Sequence, residues 1–252
     1  MRVAKKGAAK KMNPYLASAL LIAGSWIIGY LLGSIPTGVI IGKVFFHKDP
    51  RDYFSHNSGG TNVGRVFGRK IGILVIFLDA LKALIAVYLS FFVICYTPLA
   101  GNFAWFEGAY DATPIAYWGA GLFAIIGHCR SIFLKFQGGK AVASYVGVSL
   151  ASGWFFPVTM ALTFFPIAIK KSIVSISSLM MSAVSMLVAW VIAIINLIVP
   201  FNTQIFTWSF GFGGAPVLGV EYAVVATIIT IIIFVRHIPN IKRLLEGSEN
   251  KA

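Results

Sequence analysis

Charged residues are scarce in this sequence of 252 residues. They make up 12% of the chain, about half of what a soluble domain uses to cover its surface, and this excludes a soluble enzyme. Acidic residues are the scarcest, because 8 Asp and Glu stand against 21 Lys and Arg and leave a formal net charge of +13. Such an excess is typical of a protein that faces anionic lipid or an anionic substrate.

Cysteine and metal-binding patterns are also lacking. Cys95 and Cys129 are too few for a disulfide framework and have no metal-type spacing. No carboxylate cluster offers a metal site, and no Ser/His/Asp or Cys/His set is legible as a nucleophile. We therefore expect no metal and no cofactor. We also expect no nucleic-acid partner, since the basic residues interrupt long apolar stretches instead of forming a solvated face.

Long uncharged stretches are what the sequence has in place of charge. Hydrophobic residues make up 58% of it and the mean hydropathy is +0.84. A bilayer core of roughly 30 Å takes about 20 apolar residues per helix. The sequence predicts an all-α, polytopic integral membrane helical bundle of about five full spans plus short or re-entrant helices, with seven helices possible. The predicted spans are 15–41, 71–97, 114–127, 173–199 and 217–235.

One apolar segment does not fit a simple series of spans. Residues 141–169 join two basic segments, yet they are too few for two full spans and too many for one. Trp154 and Pro157 mark the middle, which favours a pair of short or re-entrant helices. We expect a single membrane-embedded catalytic domain over residues 15–246, between a basic N-terminal tail (1–14) and a C-terminal tail (247–252).

Basic residues alternate with neutral segments along the chain. Residues 43–70 hold six Lys and Arg, residues 128–140 hold three, and the chain after Val235 holds four. Residues 98–113 and 200–219 hold none. Because positive charge collects on the cytoplasmic side, we expect the basic segments and the C-terminus to lie there, in the cell membrane. The basic N-terminal tail would also favour the cytoplasmic side. A single first span would place the tail on the opposite side from residues 43–70, so the location of the N-terminus stays open.

The first polar segment, residues 51–65, is dense in Ser, Asn, Thr and Gly and ends on Arg65. Backbone amides and short polar side chains bind phosphate oxygens, and the fork of an arginine matches them. A turn leading into a helix adds a helix N-terminus to such a site. A second interpretation stays open, in which Gly60, Gly64 and Gly68, spaced four apart, form a helix-packing face.

The second and third polar segments are shorter. Gly138, Gly139 and Lys140 before a helix resemble a small phosphate cradle, although such a turn more often carries only an interfacial lysine. In the third segment, the polar pair His237 and Asn240 is more than a topology anchor requires.

Two charged residues interrupt the second predicted span. Asp79 and Lys82 are spaced i, i+3, so both lie on one helix face. We interpret them as a structural ion pair near the inner half of the span and not as a proton relay.

These polar segments carry a resemblance to the bacterial membrane glycerol-3-phosphate acyltransferases that use acyl phosphate as donor. It runs from Leu31 to Lys251. The first family motif stands here as Phe54-Ser-His-Asn-Ser-Gly-Gly-Thr-Asn-Val-Gly-Arg65. The second stands as Gly127-His128 followed by Phe136-Gln-Gly-Gly-Lys-Ala141, and the third as His237-x-x-Asn240-x-x-Arg243-Leu-Leu-x-Gly247-x-Glu249.

The resemblance implies transfer of a fatty acyl group from acyl phosphate to the 1-hydroxyl of glycerol 3-phosphate, giving lysophosphatidic acid and phosphate. It implies a catalytic set of Ser55, Arg65, Lys140, His237 and Asn240. It implies a phosphate-binding set of Asn57, Gly59, Gly60, Thr61, Asn62, Gly138, Gly139 and Arg243. Either His237 or a substrate phosphate oxygen would then take the hydroxyl proton. The expected partners are the two substrates and membrane lipid, and the oligomeric state is not readable.

Three family glycines are replaced in this chain. Phe54 and His56 stand at glycine positions of the first motif, and Ala141 follows the lysine of the second. Where a glycine serves to reach positive φ, we expect the local backbone to differ here. Two other classes of protein stay open: a secondary transporter of a phosphorylated or organic anion, and a purely structural membrane subunit.

Overall fold

The computed structural model describes residues 13–105, 108–171, 173–199, 203–206 and 216–249. Its helices are α1 (Pro14–Ser34), α2 (Thr37–Phe46), α3 (Gly60–Phe67), α4 (Arg69–Cys95), α5 (Thr113–Cys129), α6 (Val142–Ser152), α7 (Phe155–Lys171), α8 (Val174–Ile198), α9 (Val220–Arg236) and α10 (Ile238–Leu245). The only strands in these ranges are β1 (Ala104–Trp105) and β2 (Tyr110–Asp111), which pair antiparallel. The predicted all-α fold is confirmed.

Length and composition identify fewer full spans than predicted. Among the described helices three can cross a membrane: residues 14–46, α4 and α8. A fourth is added if α9 and α10, bent by 56° at His237, form one span. The helices α5 and α9 have 17 residues each, about 26 Å at 1.5 Å per residue, and so fall short of a roughly 30 Å core. Short length is tolerable in α5 because this helix is buried among the others.

The first predicted span is broken. Helix α1 ends at Ser34 and α2 begins at Thr37, because Pro36 cannot donate the backbone hydrogen bond that a continuous helix needs. α1 packs closely on α5 through small residues. A Cβ at Gly33 would lie 2.0 Å from the carbonyl oxygen of Ala124, so only glycine permits this approach.

Residues 141–169 form the predicted pair of short helices. α6 and α7 are joined at Gly153, whose φ of 129° suits glycine alone. The Nε1 of Trp154 donates to the carbonyl oxygen of Ile205 at 3.0 Å and places this turn at the end of the bundle opposite Lys140. α6 packs against α4, where a Cβ at Gly147 would meet the carbonyl oxygen of Ala80 at 2.0 Å.

The described parts of the segments that lack positive charge meet at that same end. Tyr110 donates from its hydroxyl to Glu221 Oε1 at 2.6 Å, which links the segment before α5 to the start of α9. Trp105 Nε1 donates to Ser18 Oγ at 2.9 Å, which brings the start of α1 there too. The described basic segments gather at the opposite end. The predicted break at Pro200 and Gly211–Gly214, the tail residues 1–12 and residues 250–252 lie outside the described residues.

The orientation of the bundle can be tested by cysteine labelling. In a background with Cys95→Ala and Cys129→Ala, single cysteines replace Gly101 and Glu246, two exposed residues at opposite ends. Since basic segments favour the cytoplasm, an impermeant thiol reagent on intact cells should label Gly101→Cys, and Glu246→Cys only after permeabilisation. The reverse pattern would contradict the orientation.

Candidate active site

A cavity of about 630 Å³ opens at the basic end of the bundle. Three chain segments line it: residues 51–58, residues 130–140 and residues 235–243. The structure thus brings together the three polar segments that the sequence places far apart. Five basic side chains contribute to the wall, and none of the described lining residues is Asp or Glu. The five are Arg51, Arg130, Lys140, Arg236 and Arg243.

Asn62 organises the loop that forms the first wall. Its side-chain Nδ2 donates to three carbonyl oxygens, those of Pro50 at 2.7 Å, Tyr53 at 3.2 Å and Asn57 at 2.9 Å. Its Oδ1 accepts from the backbone N–H and the hydroxyl of Ser55, at 3.0 and 2.9 Å. The amide is only 2% exposed and does not line the cavity. Asn62 therefore shapes the loop, while Ser55 and Asn57 lie on the wall.

The remaining predicted residues of the first segment lie on or beside α3. Gly60 packs against α4, where an added Cβ would come within 2.6 Å of the carbonyl oxygen of Gly72, so the helix-packing interpretation holds for it. Gly59 caps α3, and its N–H donates to Asn57 Oδ1 at 2.8 Å. Thr61 and Arg65 do not line the cavity. Arg65 forms no hydrogen bond or ion pair with any described residue, although its charge helps to lower the pKa of Lys140.

The Gly-Gly-Lys segment is held from two sides. Arg236 donates to the carbonyl oxygens of Gly138 at 2.7 Å and Gly139 at 3.1 Å. On the other side the backbone N–H of Gly139 donates to the carbonyl oxygen of His128 at 3.0 Å. The imidazole of His128 fills the space where a Cβ of residue 139 would be, with Nε2 only 2.0 Å from it. Gly138 and Lys140 reach the cavity, whereas Gly139 is buried behind them.

Lys140 is fixed by the third motif. Its Nζ donates to Asn240 Oδ1 at 2.7 Å, and Asn240 Nδ2 donates to Glu249 Oε1 at 2.6 Å. Glu249 also accepts from Ser175 and, at 2.7 Å, from Arg243 Nε. Burial lowers the pKa of Lys140 to about 8, although the negative charge of Glu249 raises it in part. The predicted C-terminal tail therefore includes a residue that is anchored in the site.

Arg51 is held by an acidic residue outside the cavity. Asp49 accepts from Arg51 Nε at 2.9 Å and Nη2 at 2.7 Å, a two-point contact across the turn Pro50–Asp52. This hydrogen-bonded arginine lowers the pKa of Asp49 to about 2. The carboxylate is therefore ionised at neutral pH and keeps the guanidinium in place.

The buried charges of α4 lie behind the Gly-Gly-Lys segment. Lys82 Nζ is 2.9 Å from Asp79 Oδ1, so the predicted ion pair is present, and both residues are less than 10% exposed. Asp79 also accepts from Thr37 Oγ1 at 2.7 Å, and Lys82 donates to the carbonyl oxygen of Ile35 at 2.8 Å. His128 Nδ1 lies 3.5 Å from Asp79 Oδ1. The pair therefore ties the α1–α2 break to the helix that supports Gly139.

His237 lies away from the cavity wall. Its Nδ1 is 2.8 Å from the carbonyl oxygen of Ile233, and the residue is 3% exposed at the junction of α9 and α10. It does not line the cavity, whereas its neighbour Asn240 does. The structure thus separates the two residues that the sequence treats as a pair.

The backbone at the replaced family glycines does not differ as expected. Phe54 has a φ of 50°, His56 of 52° and Ala141 of 70°. Each keeps the left-handed conformation that glycine adopts without cost, and a residue with a Cβ pays about 1–2 kcal/mol for it. The expected change is therefore wrong, because all three residues adopt the positive φ that a glycine would reach without strain.

Sequence reasoning missed several residues of the wall. Arg51, Arg130 and Arg236 were not among the predicted site residues, because a basic residue beside a span is ordinarily a topology anchor. His56 stands out in the sequence only as a glycine replacement. The available signal was the position of these residues within or next to the three polar segments, which all line the same cavity.

The fold and the cavity define an integral membrane protein with a cavity lined by basic side chains at one end of a helical bundle. A family model described as glycerol-3-phosphate acyltransferase matches residues 23–247. The chain belongs to this family. It is an acyltransferase and a membrane protein.

Individual relatives agree with the family. A glycerol-3-phosphate acyltransferase of Latilactobacillus sakei subsp. sakei (strain 23K) is 37% identical over 225 residues, which cover 89% of this chain and 89% of the relative. One of Mycoplasmopsis synoviae (strain 53) is 36% identical over 242 residues, 95% of this chain and 98% of the relative. The crystal structure of PlsY, an integral membrane glycerol 3-phosphate acyltransferase, in its glycerol 3-phosphate form superposes with a TM-score of 0.71 at 28% identity, over 92% of this chain and 95% of PlsY. Its lysophosphatidic acid form gives a TM-score of 0.68 at 27% identity, over 91% of this chain and 94% of PlsY.

The left-handed backbone at residue 141 generates a stability prediction. Ala141→Gly should raise the free energy of unfolding by about 0.5–1 kcal/mol, because glycine relieves the positive φ. The matched change two residues earlier, Gly139→Ala, should destabilise, since its Cβ would collide with the imidazole of His128. Thermal unfolding in detergent measures both variants. Equal destabilisation by the two changes would contradict the imposed conformation.

Proposed function

We propose that this protein transfers a fatty acyl group from acyl phosphate to the 1-hydroxyl of glycerol 3-phosphate and releases lysophosphatidic acid and phosphate. The observation that supports it most is a wall with five basic side chains and no carboxylate among its described residues. Both substrates carry phosphate. A cavity of about 630 Å³ at one end of the bundle has room for the polar parts of both substrates, while the acyl chain of the donor remains in lipid.

The chemistry requires positioning more than covalent catalysis. An acyl phosphate is a mixed anhydride, so its phosphate leaves readily once the glycerol hydroxyl attacks the carbonyl carbon. Two anionic substrates repel each other unless cations lie between them, and a fixed cation also stabilises the oxyanion that develops. The held side chains of Lys140, Arg236 and Arg243 meet this need, because little reorganisation is required when the substrates bind.

The predicted roles are assigned as follows. Ser55 and Asn57 contact one substrate from the first wall, and Lys140 with Gly138 holds a phosphate group from the second. Asn240 orients Lys140 and, with Arg243, completes the third wall. Arg65, which does not line the cavity, contributes its positive charge to the site from α3. Six predicted residues do not line the cavity and act by shaping the segments: the buried Gly60, Asn62, Gly139 and His237, the half-buried Gly59 and the exposed Thr61.

The site faces the cytoplasm of the cell membrane in this proposal. The three basic segments 51–58, 130–140 and 235–243 meet at the cavity. Positive charge collects on the cytoplasmic side of a membrane. A transporter is less well supported, because transport sites lie near the bilayer midplane, whereas this cavity opens at one end of the bundle.

The reaction can be tested with purified protein. Palmitoyl phosphate and glycerol 3-phosphate are supplied together with a metal chelator, and lysophosphatidic acid is measured. Product should form without metal or nucleotide, since the described residues offer cations and amides in place of metal ligands. Activity only with acyl-CoA would contradict the donor, and uptake by sealed vesicles without product formation would favour the transporter.

The pKa of Lys140 generates a pH prediction. Its value of about 8 lies below the ordinary 10.5, so the positive charge is lost as the pH rises through 8, and kcat/KM for glycerol 3-phosphate should fall there. Lys140→Arg keeps its charge because a guanidinium is not deprotonated in this range, so its alkaline limb should move upward. Identical alkaline limbs in the two proteins would exclude Lys140 as the titrating group.

A further inference from the structure

The chain between α5 and the Gly-Gly-Lys segment exposes an apolar surface. Ile132, Phe133 and Phe136 are 48%, 60% and 56% exposed, and no residue of the single-turn helix Ile132–Leu134 is buried. None of the three lines the cavity. Three large apolar side chains so close together are unfavourable in water, because most of their surface would stay hydrated. We call these three residues the apolar turn.

Hydrogen bonds to α1 fix the depth of the apolar turn along the bundle. Ser131 Oγ donates to the carbonyl oxygen of Ser34, the last residue of α1, and the hydroxyl of Tyr30 donates to the carbonyl oxygen of Arg130 at 2.8 Å. Helix α1 has 21 residues. At 1.5 Å per residue such a helix is about 31 Å long, which matches the hydrocarbon core of a bilayer. The apolar turn therefore lies level with the end of a membrane-spanning helix.

Exposed apolar residues continue past this depth on the neighbouring helix. Ile40, Val44 and Phe45 of α2 are exposed, although α2 begins only after Ser34. Residues 14–46 together have the length and composition of one candidate span. The apolar outer surface of the bundle thus extends beyond the level of the apolar turn, so the lipid that covers α2 also reaches the turn.

The charges beside the apolar turn favour lipid as the material that covers it. Lys135 stands between Phe133 and Phe136, and Arg130 precedes the turn; both cations are exposed. Residues 130–140 contain no Asp or Glu. Apolar side chains flanked by cations suit the layer in which acyl chains meet anionic headgroups, where the long basic side chains extend toward the headgroups.

We propose that the apolar turn is inserted into the interface of the membrane, with lipid acyl chains and headgroups around Ile132, Phe133 and Phe136. The same segment continues directly into Gly138 and Lys140, which line the cavity. The insertion therefore holds one wall of the cavity at the lipid surface. An amphiphilic molecule in that leaflet reaches the cavity without crossing water.

Nitroxide labelling at single cysteines tests this insertion. In the Cys95→Ala and Cys129→Ala background, the full chain with Phe133→Cys is labelled and reconstituted into vesicles of phosphatidylethanolamine and phosphatidylglycerol. Power-saturation spectroscopy then measures collisions of the label with oxygen, which concentrates in the bilayer, and with a water-soluble nickel chelate. We expect the oxygen-to-nickel collision ratio to be severalfold higher than at the matched control Glu246→Cys, an exposed position at the same end of the bundle.

Ile132→Cys provides a second label position on the apolar turn, so the test does not depend on one variant, and it should give the same high ratio. A ratio equal to that of Glu246→Cys would place the turn in water. Few collisions with either reagent would place it against another protein surface. Each of these two results would overturn the proposal. Neither measurement depends on acyl transfer, so its outcome is independent of the proposed function.

Discussion

The main constraint on the structure is that five positively charged side chains surround one cavity, and the described wall of this cavity contains no carboxylate. Each cation is fixed from behind by an oxygen acceptor: a backbone carbonyl for Arg236 and Arg130, the Asn240 amide for Lys140, and a carboxylate outside the wall for Arg51 and Arg243. These hydrogen bonds offset part of the repulsion between like charges before any substrate is present. They also hold these five side chains at the cavity, where a bound anion would complete the neutralisation.

The bundle supplies these acceptors through close helix packing and a few constrained turns. Gly33 and Gly147 let neighbouring helices approach to backbone contact. The buried Asp79–Lys82 pair contacts both the break after α1 and His128, the residue that packs against Gly139. The turns at Phe54, His56 and Ala141 keep positive φ values without glycine, so the network around them outweighs the local backbone preference. A site in which the scaffold sets the geometry tolerates such replacements.

Much of this was predictable from the sequence, because hydropathy and charge alternation report spans and their sides directly. They predicted the all-α bundle, the α6–α7 pair and the gathering of three polar segments. They did not separate residues that line the cavity from residues that shape the loop. Asn62 and Ser55 belong to the same motif. The side-chain amide of Asn62 forms five hydrogen bonds within the loop, whereas Ser55 lies on the cavity wall. Spacing along the chain carries no information about which way such a side chain turns.

The central claim is that one cavity, built from three distant segments, holds the phosphate of glycerol 3-phosphate. A crystal structure of this protein with that substrate bound tests it most directly. The account predicts the phosphorus atom inside the cavity, with its oxygens hydrogen-bonded to cations or amides from at least two of the segments 51–58, 130–140 and 235–243. A phosphate bound at the opposite end of the bundle, or near its midplane, would contradict it.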